Sequence, residues 1–588
     1  MAIYYISPTG NDTTGTGTAA NPFKTGNRAV IAVVDGAGDE IRLQESVTSL
    51  IGGANFTFTN NTSTIATSAS MIGTIVAGDY IGKPSALIGT IETYYRVVTV
   101  TSTTITIFGS YLGSNSVETQ VKKIIPESGM GLATGYHINL SKSCFVSGGW
   151  NLGTQTRSGE TMIFSPGTIT TSTNISLYIS STPEVEYLGV CQGYYCINVV
   201  SASSGWKLKN VSICDSERVG LLMSANSYGT LENFFGHNVR NTGFAVIHRT
   251  GSVNSELMTY NNVWVWDDTV NATVGAFRLG PNCNLPENAD IYIRNSLNGF
   301  AQDANSRAYN VDIENCVTAS YLGGDNCVIS GFDIRECTNG TTCGSSNLSH
   351  TIEENNYFNV ITGITFNRTT GVTLRKNRFE NGTNHVLIDS LSGDIFGEAN
   401  EHINPASWAY NTSAGAGLIT LKSSTIDAPS INKAIRVIAS NMFEVPQFLI
   451  QDCFGLADGA YYSNGVIIKD NTILTPLGFS SLKLAFLSSV ENNRSRVPVA
   501  VLYAYNGNSY TIQYKLRADG AWTGSLIPYL YLDGQVLTTG TTITSISNGS
   551  WDTHTISTGA VPRNGELVLR FTINSNTTAI SLGDVIKL

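Results

Sequence analysis

Long apolar runs are missing from this chain of 588 residues. A helix that crosses a bilayer needs ~20 consecutive apolar residues, so no membrane insertion is expected. The opening MAIYYISPTGND lacks a basic segment followed by an apolar one, and the chain is expected to be made in the cytoplasm without a secretory signal. Charge is also scarce. Asp, Glu, Lys and Arg make up 13% of residues, with a formal balance of −10. Phosphate recognition needs clustered Lys and Arg; no such cluster is present, and nucleic acid is not an expected partner. Proline, at 15 residues, is too rare for a disordered linker protein. Cysteine occurs ten times, but Cys191/Cys196 and Cys337/Cys343 have neither CxxC spacing nor paired histidines. Free buried thiols are therefore expected, with no disulfide framework and no zinc. The histidines are scattered without a His-x-x-x-His pair, and the turns at Asn11-Asp12 and Asp35 to Asp39 lack calcium-loop spacing. Neither metal nor cofactor is expected.

What the chain does contain is a returning phrase, in which two apolar residues flank a variable one and a charged or polar residue follows, often with Asn after it. Ile291-Tyr-Ile293-Arg294-Asn295, Val311-Asp-Ile313-Glu314-Asn315, Phe332-Asp-Ile334-Arg335-Glu336 and Val372-Thr-Leu374-Arg375 fit it, with weaker copies at Thr230-Leu231-Glu232-Asn233 and Thr351-Ile352-Glu353-Glu354-Asn355. The anchors Ile293, Ile313, Ile334, Ile352 and Leu374 recur at roughly 20 residues, a period of the solenoid kind. Each copy alternates like a strand. A unit this short cannot bury a core alone, so neighbours must stack. The reading is an all-β chain built on a parallel β-helix.

The first 45 residues carry a more specific pattern. Tyr4-Tyr5-Ile6-Ser7-Pro8-Thr9-Gly10-Asn11-Asp12, Gly15 and Gly17, Asn21-Pro22-Phe23-Lys24-Thr25 and Ala37-Gly38-Asp39-Glu40-Ile41-Arg42-Leu43 resemble the N-terminal cap of the pectate-lyase-like right-handed β-helix superfamily. The resemblance implies a right-handed solenoid whose first coil is covered by a short helix within Thr25 to Val34. The calcium and arginine constellation of true pectate lyases is absent from the pattern, which puts lyase activity in doubt and leaves the fold. Thr-rich alternation then points to a small antiparallel β insertion, and strict alternation near the end, punctuated by glycines, to a β-sandwich. That sandwich resembles the jelly-roll modules that end phage tail proteins and that serve as carbohydrate-binding domains. The expected domains are a cap (1–47), an insertion (48–126), a solenoid (127–494) and a sandwich (495–588).

Two places invite chemistry. Aligning the phrases puts Arg294, Glu314, Arg335, Glu353 and Arg375 at one outward position of successive coils, ~4.8 Å apart. The favoured reading is a solvated ladder of alternating charge; the other is a catalytic pair, Glu314 with Glu353. A bulge at Asn261-Asn-Val-Trp264-Val-Trp266-Asp267-Asp268 is the stronger candidate. Its two tryptophans alternate along a strand and offer a sugar ring an apolar face, while Asp267 and Asp268 are the candidate catalytic acid and base. Asp303 and Asp325 join Trp264 and Trp266 as candidate carbohydrate-binding residues. The alternative is that the tryptophans plug the solenoid and the aspartates solvate a turn.

The resulting expectation is a virion-associated protein of the phage tailspike or tail-fibre type, a homotrimer that binds bacterial surface polysaccharide alongside other virion proteins. In its enzymatic form it is a depolymerase, either glycoside hydrolase or lyase. The alternatives are a non-catalytic structural or decorating virion component of the same fold, and an extracellular cellular polysaccharide lyase or hydrolase.

Overall fold

A computed structural model describes residues 1–130, 136–165, 174–200, 204–224, 227–239, 244–248, 257–266, 275–344, 348–389, 392–412, 418–422, 425–427, 435–436, 442–444, 465–474, 480–486, 497–504, 506–532, 535–575 and 580–587. The protein is 57% strand and 2% helix, and its parallel strands stack into a β-solenoid of about nine turns. It divides into two compact units, Met1–Tyr321 and Leu322–Leu588. Among the described residues no helix is long and apolar enough to cross a membrane.

In the first unit one parallel sheet runs from Ile3–Ile6 and Glu40–Gln44, through Phe145–Asn151, Glu184–Cys191, Ser204–Ser216, Tyr228–Val239 and Thr259–Trp266, to Ile291–Arg294 and Val311–Glu314. A second is built from the strands between Tyr136–Leu140 and Asn298–Gln302. Inward positions are filled by apolar side chains such as Ile291, Ile293, Val311 and Ile313, all essentially inaccessible. The Gly26–Ala32 helix, N-capped by the Thr25 hydroxyl, lies against the end strand of the second sheet. It approaches so closely that a Cβ at Gly26 would fall 2.8 Å from the Ile138 side chain. Asp39 pins the chain start: its two carboxylate oxygens accept from the Ala2 and Val34 amides at 2.6 and 3.0 Å.

The residue after the charged position of each phrase turns the corner of the coil. Asn295, Asn315, Glu336, Glu354 and Lys376 all have φ between 50 and 59°, the left-handed region in which Asn is enriched because its short side chain bonds locally. Corner amides also bond from coil to coil: Asn262 Nδ2 donates to Asn233, and Asn233 Nδ2 to Asn210, at 2.7 and 3.0 Å.

The Thr-rich stretch forms six strands, Thr48–Phe58, Thr62–Thr67, Tyr80–Gly82, Tyr95–Val100, Thr104–Tyr111 and Ser116–Ile124, closed into an antiparallel barrel. The barrel does more than fill a gap between cap and solenoid. It docks on the outer face of the first sheet, so that Phe235 and Trp266 belong to the same buried cluster as Phe56, Phe58, Tyr95 and Tyr111. Buried Asp215 anchors it by accepting from the Tyr80 hydroxyl at 2.9 Å and pairing with Arg96 at 3.4 Å.

In the second unit each coil contributes to three parallel sheets, entered by Val328–Ser330, Asp333–Arg335 and Asn339–Cys343. Tyr357, Phe379 and His402 stack inside it with centroids 4.7 and 4.8 Å apart, which matches the strand spacing. A buried amide column, Asn355–Asn377–Asn400, runs beside them through bonds of 3.0 Å. The terminal β-sandwich pairs a five-stranded with a four-stranded antiparallel sheet. It starts earlier than the boundary at 495. Strands Gly465–Leu474 and Ser480–Phe486 are antiparallel and sit in the five-stranded sheet, because a period of two marks a strand without saying which way its neighbour runs.

The charge ladder needs a similar correction. Arg294 does pair with Glu314, at 3.0 Å. Arg335, however, stands in register with Phe358 and Glu380, whereas Glu353 and Arg375 belong to another sheet, where Arg375 pairs with Glu353 at 3.8 Å and Glu398 at 3.4 Å. Phrases of one spelling occupy two sheets, so the Glu314/Glu353 pair is withdrawn.

Two consequences can be measured. Burial lowers the histidine pKa values, to about 4 for His137 and His350, to about 3 for His237 and His385, and well below 6.5 for His402. Between pH 6.5 and about 4 the unfolded chain takes up protons that the folded chain refuses, so stability falls as pH falls through that window. The thermal midpoint is expected to be lower at pH 5 than at pH 7.5, and an equal midpoint would contradict the burial. Asn377→Ala leaves the Asn355 amide groups and the Ile352 carbonyl without their partner. Each stranded buried group costs about 1–3 kcal/mol, and differential scanning calorimetry should show a clear drop in midpoint.

Candidate functional site

The bulge predicted to carry the chemistry is partly a core. In the strand Thr259–Trp266, Val263 and Val265 point into the solenoid, while Trp264 and Trp266 point outward. Outward does not mean exposed. Trp266 has no accessible surface; it lies under the barrel, parallel to His237 at 4.8 Å, and its indole N–H meets no acceptor among the described residues. It is therefore a packing residue and not a sugar platform. Trp264 is the middle ring of a column, stacked on Tyr292 at 4.5 Å and on Phe235 at 6.5 Å, with Arg294 above it at 5.4 Å. Its N–H donates to Asn262 at 2.8 Å. Asp267 and Asp268 lie outside the described residues.

The remaining predicted residues do not converge on Trp264. Asp303 follows a strand of the second sheet and holds Arg278 in a two-pronged pair of 2.8–3.1 Å. Asp325 belongs to the second unit, where its carboxylate accepts from the Leu348 amide at 2.8 Å. Both have structural partners.

Trp264 instead opens into a cleft of about 220 Å³ between barrel and first sheet, lined by Asn60, Asn61, Ile91, Leu112, Arg294, Asn295, Glu314 and Asn315. The barrel brings the two apolar residues and the first two amides, and the corners of consecutive coils bring the rest. The amides form a chain, with Asn315 Nδ2 donating to Asn295 Oδ1 at 2.6 Å and Asn295 Nδ2 to Asn61 Oδ1 at 2.8 Å. Arg294 is fixed between Asp312 and Glu314, both at 3.0 Å. The cleft thus presents an indole edge, amides of both polarities and a carboxylate–guanidinium pair, a set able to donate to and accept from hydroxyl groups. The one carboxylate that lines the cleft, Glu314, is engaged by Arg294, and no second carboxylate among the described residues faces it there. No group of three or more His, Cys, Asp or Glu among the described residues is arranged to hold a metal. Sequence reasoning missed the barrel's share, because nothing local in Asn60-Asn61 says which sheet it will face.

No family model matches the sequence, and no curated protein does. Matches among solved structures include a structure described as "CBM4 structure and function" (15% identity, 21% of this chain, 76% of that one, TM-score 0.17). Two others are a carbohydrate-binding module from Cellvibrio mixtus lichenase 5A in complex with cellotriose and the N-terminal cellulose-binding domain of Cellulomonas fimi β-1,4-glucanase C. Each shows 15% identity over 21% of this chain and 88% of the other, with a TM-score of 0.15. Overlaps at these TM-scores say nothing of ligand or activity.

The geometry separates packing from recognition. Trp266→Ala empties a fully buried site and is expected to cost about 3–5 kcal/mol, with the barrel becoming sensitive to limited proteolysis. Asn61→Ala, at an exposed turn of the cleft wall, strands only the Asn295 amide and should lower the thermal midpoint far less than Trp266→Ala, with the proteolysis pattern of the barrel retained.

Proposed function

We propose that this protein binds bacterial surface polysaccharide in the Trp264 cleft, as a solenoid of the tailspike or tail-fibre type. The observation that carries the reading is the cleft's composition: side-chain amides, a fixed ion pair and an aromatic edge, set where a closed barrel meets a rigid sheet. Hydroxyl-rich ligands need alternating donors and acceptors in fixed positions, and the corner residues supply them with little side-chain freedom left to lose. The setting we propose is the virion, with assembly in the host cytoplasm as a trimer alongside other virion proteins. Nine described cysteines, all buried and none of them in a disulfide among the described residues, suit assembly in a reducing compartment.

Binding without cleavage is the form the cleft favours, since among the described residues it is lined by a single carboxylate, Glu314, which Arg294 holds. Surface polysaccharides from candidate host bacteria, titrated against the intact protein, test the proposal. Glu314→Gln and Asn61→Ala are each expected to weaken binding by about tenfold, equivalent to 1.4 kcal/mol, without release of reducing ends by the unaltered protein. Failure of the unaltered protein to bind any of them would remove the reading. Light scattering showing a stable monomer at micromolar concentration would remove the trimer.

A further inference from the structure

On one outer sheet face of the second unit the ladder of charges is interrupted by an exposed ring. The strands Asp333–Arg335, Asn356–Phe358 and Arg378–Glu380 pair in register, with Asp333 opposite Asn356 and Arg378, and Arg335 opposite Phe358 and Glu380. Ile334, Tyr357 and Phe379 point inward and are buried. Six side chains therefore form a grid of three rows on the outside. The two flanking rows carry ion pairs along the strand, Asp333 with Arg335 at 2.6 Å and Arg378 with Glu380 at 3.1 Å. The middle row carries no charge: it is Asn356 and a Phe358 ring that is 38% exposed. With the flanking rows two strand spacings apart, or ~9.6 Å, the middle row forms the floor of a trough. Its volume is about 440 Å³, inside the roughly 300–1,000 Å³ typical of small-ligand sites.

We infer that this trough is a second glycan-binding site and that the sugar residue it takes is uncharged. Three observations select that ligand. A phenyl ring facing solvent at the bottom of a polar trough offers stacking to the C–H face of a pyranose, the use to which binding sites put aromatic rings that keep one face wet. The walls present guanidinium donors and carboxylate acceptors on both sides, with the Asn356 amide between them, and hydroxyl groups both donate and accept. Finally, the four charged groups cancel, and each guanidinium already holds a carboxylate, Arg378 reaching Glu401 as well at 3.6 Å. A uronate or phosphate would have to displace a carboxylate that is already charge-paired, and would meet a second one beside it. A protein partner fits less well, since one phenyl ring is far short of the ~800 Å² per side that a standard interface buries. The inference rests on the reading of the chain as a glycan binder. It shares no residue with the Trp264 cleft, so the two sites can fail separately.

The test uses the full chain and the same host polysaccharides, sorted into neutral and uronate- or phosphate-containing groups, with affinity electrophoresis as the readout. Phe358→Ala and Asn356→Ala are expected to lower affinity for a neutral polysaccharide at least tenfold. Phe358→Trp should retain binding and change its fluorescence when sugar is added. Because Phe358 and Asn356 are both at the surface, the thermal midpoint should be unchanged in all three. Binding unchanged in Phe358→Ala but reduced in Asn61→Ala would overturn this site and leave the proposed function standing. Binding restricted to acidic polysaccharides, and lost in Phe358→Ala, would overturn the uncharged class. No binding of any polysaccharide by the unaltered protein would overturn both.

Discussion

Everything in the solenoid depends on one constraint: a coil has no interior until another coil lies on it. The parallel hydrogen-bond ladder fixes the separation at ~4.8 Å, and each side chain must then suit the one above and below it as well as its own strand. Tyr357, Phe379 and His402 satisfy this by stacking flat rings. Asn355, Asn377 and Asn400 satisfy it by passing a hydrogen bond from amide to amide. Outside, like charges would be forced together, and the chain alternates them, as at Glu353, Arg375 and Glu398. Corners carry the same demand in backbone form, since a left-handed residue must recur at each.

Both candidate sites are places where this regular surface is interrupted. At Trp264 the interruption is the barrel, which covers Trp266 completely and leaves its neighbour at the edge of a cleft. At Phe358 the interruption is within the grid, where an aromatic residue and an amide replace charges for one row. A flat ladder of paired charges is well solvated and offers a ligand little. Recognition needs the row that breaks it.

How much of this was readable from the sequence follows from the same geometry. The repeat period, the inward anchors and the all-β class were legible, because stacking imposes them at every coil. The Asn that closes two of the phrases, Asn295 and Asn315, was visible too, and its left-handed conformation explains it. The sheet to which a phrase belongs was not legible: Ile334-Arg335 and Ile352-Glu353 read alike, yet lie on different sheets, since alternation encodes inside and outside only. The burial of Trp266 depends on residues Thr48 to Ile124, far away in sequence. Phe358 was passed over because its inward neighbours Tyr357 and Phe379 are also aromatic, and composition cannot tell which of them faces water.

The barrel's point of entry has a consequence for the order in which the protein forms. Glu40–Gln44 hydrogen-bonds directly to Phe145–Asn151, although the whole barrel lies between them in the chain. On a growing polypeptide the first coil therefore waits for a strand that emerges only after Ile124. Joining distant segments through a slack loop costs entropy that grows with its length, and a barrel already folded shortens that loop to its two ends. The barrel acts in this sense as a clasp. Its first and last strands, Thr48–Phe58 and Ser116–Ile124, pair with each other, so a formed barrel holds the strands Glu40–Gln44 and Phe145–Asn151 within reach of each other and would give the slow parallel stacking a place to begin.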